Sequence, residues 1–131
     1  MTVLGLDPGT RKCGFALIGA AGGAPLELGI VPLDALPERL REILDRRAVD
    51  LAAIGRGTNA EPVAAAAAAL GLRVEMVDER GTTLLARARY FRDHPPRGWR
   101  RLVPRGMLLP SRPIDDYAAL LIAERFLKGG D

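Results

Sequence analysis

The chain contains a single cysteine, Cys13, and a single histidine, His94, in 131 residues. One cysteine excludes an internal disulfide, and its place in a β-rich stretch marks Cys13 as a small buried side chain rather than a nucleophile. His94 stands among prolines in a charged segment and reads as incidental rather than as a general base. Aromatic residues make up only 5% of the chain, so the core must be aliphatic and alanine-rich. No apolar run is long enough and uninterrupted enough to span a membrane. The N-terminus also lacks a basic region followed by an apolar segment and a cleavage site. The expectation is a cytoplasmic protein without a membrane partner.

What the chain does contain is 48% hydrophobic and 27% charged residues, proportions suited to one domain, 1–131, with a buried core. The net charge of +3 is unevenly spread. Of the 19 basic and 16 acidic residues, six arginines (Arg92, Arg97, Arg100, Arg101, Arg105, Arg112) and one acid, Asp93, lie in residues 91–113. The rest of the chain holds 13 basic and 15 acidic residues, so the positive excess belongs to this one basic loop. Such concentration suits contact with phosphates better than general solvation.

The first seventeen residues read as a strand, a turn and a second strand. Thr2 to Leu6 is an apolar run too short for a helix, and it delivers Asp7 to a strand end. Pro8, Gly9 and Thr10 form a tight turn, and Lys12 to Ile18 returns as a hairpin partner. Leu26 to Leu33 reads as a third, edge strand. Asp34 and Pro37 announce a helix with Leu36, Leu40, Ile43 and Leu44 on its apolar side. Leu51 to Ile54 is a short buried strand closed by Gly55-Arg56-Gly57-Thr58-Asn59, with Thr58 or Asn59 as cap of the next helix. The alanines Ala64 to Ala69 pack that helix closely on a sheet, and Gly71 stops it. Leu72 to Val77 is a strand running to Asp78 and Glu79, and Gly81-Thr82-Thr83 opens a helix to about Tyr90. The segment 91–113 has little periodicity, and a loop of that length in a compact domain is usually functional or mobile. Ile114 to about Lys128 is a final, strongly apolar helix.

Strands that alternate with helices pair in parallel through crossovers. The expected fold is therefore α/β, a mixed five-stranded sheet with strands 1–3 antiparallel and strands 1, 4 and 5 parallel, flanked by helices. Ligands of such sheets bind beyond the carboxyl ends of the parallel strands. Asp7, Gly55 and Glu79 all fall there.

Two groups open with Asp-x-Gly-Thr: RNase H-like nucleases, and the ATPases of the sugar kinase, actin and heat-shock type. The ATPases need two domains closing over a nucleotide, and 131 residues supply one. The chain resembles the YqgF/RuvX family of RNase H-like proteins, assigned to Holliday-junction resolution and to maturation of ribosomal RNA. Three motifs carry the resemblance. They are Leu6-Asp7-Pro8-Gly9-Thr10 through Ala16, Val77-Asp78-Glu79-Arg80-Gly81-Thr82-Thr83 with Ala86 and Arg87, and Asp115-Asp116-Tyr117-Ala118-Ala119. Where the family usually has Gly-Leu-Pro and a polar Asn and Asp-Gly loop, this chain has the shorter, more basic run from Ile54 to Glu61.

The resemblance implies a nuclease that uses two Mg²⁺ or Mn²⁺ ions held by Asp7, Glu79 and a carboxylate of the last helix. Two such ions about 4 Å apart activate water, stabilise the departing oxygen and neutralise the transition state, and hard oxygen ligands suit them. Asp115 is preferred over its alternate Asp116 because it fits the Asp-x-x-Ala-Ala spacing. The ordinary alternatives are that Glu79 pairs with Arg80 at the surface and that Asp115 is a first-turn acid favoured by the helix dipole. Asp78 would project to the opposite face from Glu79. Thr10, Lys12, Arg56, Arg80, Arg87, Arg97, Arg100 and Arg101 are candidates for phosphate contact, arginine because its planar guanidinium binds phosphate oxygens bidentately. Arg89 reads as part of a solvated helix face. Trp99 either stacks on an unpaired base or anchors the loop to the body of the domain. The expected partner is RNA or DNA, with homodimerisation left open. The competing readings are a binding module of the same fold without turnover and, disfavoured by the lack of a capping domain, a small phosphohydrolase.

Overall fold

A computed structural model describes residues 1–21, 24–104 and 107–129. Arg105, one of the six arginines of the basic loop, lies outside the described residues. Five strands form one sheet: β1 (Thr2–Pro8), β2 (Lys12–Gly19), β3 (Glu27–Pro32), β4 (Leu51–Gly55) and β5 (Arg73–Val77). Their spatial order is β3-β2-β1-β4-β5. β1–β2 and β2–β3 are antiparallel, whereas β1–β4 and β4–β5 are parallel. β1 is thus the middle strand. The register Leu6↔Ile54 and Gly55↔Val77 sends β1, β4 and β5 out of the sheet at the same edge.

Four helices cover the two faces: α1 (Leu36–Arg46), α2 (Ala60–Ala69), α3 (Thr82–Asp93) and α4 (Asp115–Leu127). The period of two along the strands sorts the core into two layers. Leu4, Leu6, Phe15, Leu17, Ala52 and Ile54 pack with Leu36, Leu40 and Ile43 of α1 and Val63 and Ala67 of α2. Val3, Ala16, Ile18, Leu51 and Ala53 pack on the opposite face with Ala86 and Tyr90 of α3 and with Ala119, Leu120, Ile122 and Ala123 of α4. Each fully buried Leu, Ile or Phe contributes roughly 1.5–3 kcal/mol of transfer free energy, so the aliphatic layers compensate for the scarcity of aromatics. Cys13 is fully buried, and burial pushes its thiol up to about 12.

α4 is the helix that most directly shapes the site. It can lie against the centre of the sheet because a Cβ on Gly14 would overlap the Asp115 carbonyl, and one on Gly5 would overlap that of Ala119. The same pleat that faces Gly5 and Gly14 toward α4 also faces Asp7 there, since Leu6 and Cys13 point into the other layer.

Several local expectations are corrected. The third strand is shorter than 26–33, because Leu33–Ala35 forms a 3-10 turn that leads into α1. α3 runs to Asp93 and Gly98–Leu102 forms a further 3-10 turn, so the basic loop is partly helical. Asn59 precedes α2 but makes no side-chain cap. Its backbone is left-handed (φ 63°) and its Nδ2 donates to the Gly9 carbonyl at 2.8 Å, which ties the β4–α2 loop to the β1–β2 turn. Arg89 is not solvated: it donates twice to Glu124, at 2.9 and 2.7 Å, and joins α3 to α4.

Candidate active site

The three sequence-distant carboxylates reach the shared strand edge by different routes, Asp7 and Glu79 lining one cavity and Asp115 standing beside it. Asp7 is the penultimate residue of β1 and sits opposite Gly14 of β2. Glu79 follows β5 by two residues. The Thr82 hydroxyl donates to the Glu79 carbonyl at 2.7 Å, and Arg125 of α4 donates to the carbonyls of Asp78 and Arg80. The segment carrying Glu79 is thereby held from both helices of that layer. Asp115 is the first residue of α4, and Lys12 of β2 lies 3.6 Å from its carboxylate.

Glu79 has its own cradle. A Cβ on Gly57 would overlap its carboxylate, and one on Gly55 would stand 2.9 Å from Oε2. The Gly-Arg-Gly run after β4 is thus a place where side chains are missing because Glu79 occupies their space. That run stood out in the sequence as a loop signal, but nothing in the sequence said which residue it admits.

The electrostatics of the cluster follow from its crowding. Burial, then the negative charges of Glu79 and Asp115, push the Asp7 carboxyl up to about 7, and a hydrogen bond shared with Glu79 adds to the lift. Burial also raises Glu79, aided by Asp78 and opposed by that same hydrogen bond, which stabilises the Glu79 carboxylate. The result is a central carboxyl that holds a proton near neutrality beside two further acids. Asp7 and Glu79 line an open cavity of about 300 Å³ with Thr10, Thr58, Thr82 and Thr83.

These residues fit a hard divalent cation. Their donors are carboxylate oxygens, the Gly55–Gly57 cradle leaves the Glu79 carboxylate unobstructed, and a cation would relieve the repulsion now met by a proton on Asp7. Among the described residues no three His, Cys, Asp or Glu side chains are already drawn together as a complete ligand set. Asp115 is turned toward Lys12.

Asp116 points elsewhere. It is buried, accepts from Arg112 at 3.2 and 3.3 Å and from the Tyr117 backbone N–H at 2.9 Å, and belongs to the packing of the loop against α4. Arg80 is paired with Asp78 at 3.0 Å, so the alternative in which Glu79 is a surface acid paired with Arg80 does not hold. Thr10 lines the cavity, and Arg56 is exposed on the adjoining groove with Gly57, Asn59 and Met76. Arg87 is half-buried, and its buried Nε has no acceptor among the described residues. Arg97, Trp99, Arg100 and Arg101 lie on the basic loop that leads into Asp115, and none of them lines the cavity at Asp7; Arg100 donates to the Leu109 carbonyl. His94 stacks on Tyr90 with ring centroids 4.5 Å apart and serves packing. Arg125, which sequence reasoning passed over, clamps the Glu79 segment from 45 residues away, and no local pattern marks it.

Comparison with known proteins gives the following. No family model matches the chain. A candidate pre-16S rRNA nuclease of Pelotomaculum thermopropionicum is 33% identical over 143 residues, which cover 97% of this chain and 86% of the relative. The crossover junction endodeoxyribonuclease RuvC of Bordetella petrii is 37% identical over 94 residues, 68% of this chain and 47% of that protein. Among solved structures, Thermus thermophilus RuvC superposes with TM-score 0.58 at 19% identity, covering 98% of this chain and 97% of that one. The same protein in complex with a Holliday junction substrate gives 0.59 at 18%, covering 94% and 90%. At those identities the likeness establishes the fold, an RNase H-like sheet and helix arrangement. No helix among the described residues is long and apolar enough to cross a membrane.

Proposed function

Because the chain belongs to the YqgF/RuvX family of RNase H-like proteins, we propose that it is a metal-dependent nuclease that hydrolyses phosphodiester bonds of structured or single-stranded nucleic acid. The relatives' names point to two substrates, pre-16S rRNA and a DNA crossover junction. The ribosomal precursor is favoured, since that relative matches nearly the whole chain. The observation that carries the reading is Asp7, a carboxyl held at the central strand end with its proton retained by burial and by Glu79 and Asp115.

Asp7, Glu79 and Asp115 would hold two Mg²⁺ or Mn²⁺ ions, which supply an activated water and neutralise charge on the phosphoryl oxygens and the leaving group. The chain's own residues prepare for this in distinct ways. Asp7 would give up its proton in exchange for a cation and so would serve as a ligand in the ionised form. Gly55 and Gly57 leave room for Glu79, and Thr82 and Arg125 fix the backbone on either side of it. Lys12 pairs with Asp115 while no cation is bound, and once Asp115 turns to a cation its positive charge would be free to meet a substrate phosphate. Thr10 offers a hydroxyl to the same phosphate. Arg87 is half-buried with its Nε shut off from solvent, so contact with a phosphate would fall to the outer nitrogens of its guanidinium.

A second reading, a nucleic-acid binding module without turnover, draws on the incomplete ligand set of the described residues. One experiment separates the two: matched RNA and DNA oligonucleotides are incubated with the protein in Mn²⁺, in Mg²⁺ and in EDTA. The nuclease reading predicts cleavage only with metal and its loss in Asp7→Asn. Binding without cleavage under every condition favours the module.

A further inference from the structure

The basic loop between α3 and α4 exposes large apolar side chains where a loop serving only as a connection would bury them. Trp99 is 74% exposed, Leu102 86%, Met107 73% and Leu109 65%, within eleven residues. The loop is nevertheless anchored: Leu108 is buried in the α3–α4 layer, Val103 packs against it, and Arg100 holds the two limbs together through the Leu109 carbonyl. The anchoring role considered for Trp99 is therefore filled by Leu108 and Val103. From His94 to Ile114 there is no acidic residue, and Arg97 and Arg101 are exposed beside the apolar set. The loop then runs through Arg112, whose guanidinium stands 5.3 and 5.8 Å from the ring centroids of Tyr90 and Tyr117, directly into Asp115.

We propose that this loop is a clamp for unpaired nucleotides, with Trp99 stacking on a base and Arg97 and Arg101 holding the flanking phosphates. The inference rests on the nuclease reading and names its substrate class: a strand with unpaired bases, such as a single-stranded tail or the open point of a branched structure. Charge complementarity selects the occupant. A second copy would bring an equally positive loop against this one, whereas a phosphate backbone neutralises both arginines. A fully paired duplex also offers phosphates, but its base faces are stacked inside and give the exposed indole nothing to cover. Base stacking on an aromatic side chain tolerates any sequence, which suits a nuclease selecting structure over sequence.

Trp99 is the only tryptophan of the chain, so intrinsic fluorescence reports this one position. Wild-type protein is titrated in EDTA, where no cleavage occurs, with a poly-uridine strand, a blunt duplex of equal charge, the same duplex with a single-stranded tail, and anionic phospholipid vesicles. The expected result is quenching by the single strand and the tailed duplex, with little by the blunt duplex or vesicles. Anisotropy with labelled strands should show Trp99→Ala weakening single-strand binding about tenfold at an unchanged salt slope, and Trp99→Phe restoring most of it. Equal quenching by blunt duplex and single strand, a shift with protein concentration alone, or quenching by vesicles only would each overturn the clamp. Single-strand binding with no change in tryptophan emission would overturn it too while leaving the nuclease reading intact. Loss of all nucleic-acid binding would instead count against the nuclease reading itself.

Discussion

Neutralising the central carboxylate should make the metal-free protein more stable at alkaline pH while destroying its metal site. In the folded protein Asp7 titrates at about 7 rather than at its ordinary 3.8. Well below pH 3.8 it is protonated in both folded and unfolded chains and contributes nothing. As pH rises through 3.8 the unfolded chain releases the proton while the folded chain keeps it, so stability falls. The fall is complete once pH exceeds about 7, where the folded chain must also carry the charge. At 1.36 kcal/mol per tenfold change in the proton equilibrium, the full lift corresponds to about 4 kcal/mol. That figure is a ceiling, because the open cavity admits screening water. Asp7→Asn removes the titration, and above pH 8 in EDTA the variant should exceed wild type by about 1–3 kcal/mol, a rise in Tm of roughly 3–12 °C. The gap should close toward pH 4. Mn²⁺ at a thousand times its Kd should reverse the order at pH 8, since it stabilises only the wild type, by about 4.1 kcal/mol. Thermal denaturation of both proteins across pH 4–9, with EDTA and with Mn²⁺, measures all of this. A gap that does not change with pH, or a variant less stable than wild type at pH 8.5, would refute the electrostatic account of Asp7.

Other predictions test neighbouring parts of the site. Asp115→Asn should remove cleavage, whereas Asp116→Asn should keep a substantial part of it and mainly lower Tm, because Asp116 is engaged by Arg112 and the Tyr117 N–H. The reverse order would move the ligand to Asp116. Gly57→Ala should push Glu79 from its cradle and weaken Mn²⁺ binding at least tenfold by calorimetry, with the fold intact by circular dichroism; unchanged affinity would mean that Glu79 is not a ligand. Arg97, Arg100 and Arg101 replaced together by alanine should flatten the dependence of log affinity on log salt, each lost phosphate contact removing about 0.7 for a single strand. A drop near two contacts is expected, as Arg100 is committed to the Leu109 carbonyl, and an unchanged slope would place these arginines away from the substrate.

How much of this was legible from the sequence depended on whether the cause was local. The five strands and four helices follow from periodicity and glycine punctuation, and the convergence of Asp7, Gly55 and Glu79 follows from strand order alone. The preference for Asp115 over Asp116 came from motif spacing, whereas the seating of the start of α4 on Gly14, whose missing side chain leaves room for the backbone of both aspartates, was not legible there. What stayed hidden depends on pairs distant in the chain. Asn59 looked like a helix cap because that is the local use of asparagine, but it is spent across 50 residues on Gly9. Arg89 looked solvated until Glu124 of another helix was placed opposite it. Arg125 reaches 47 residues back to the Asp78 carbonyl, a backbone contact that no side-chain pattern can encode.

The claim at the centre of this account is that Asp7, Glu79 and Asp115 together bind divalent metal for phosphodiester hydrolysis, and anomalous diffraction from crystals soaked in Mn²⁺ tests it most directly. The account predicts Mn²⁺ peaks within 2.0–2.6 Å, the usual metal–oxygen range, of the Asp7 carboxylate, with Glu79 and Asp115 completing the coordination and Asp115 rotated away from Lys12. A map with no peak at Asp7, or with peaks only elsewhere on the surface, would contradict it.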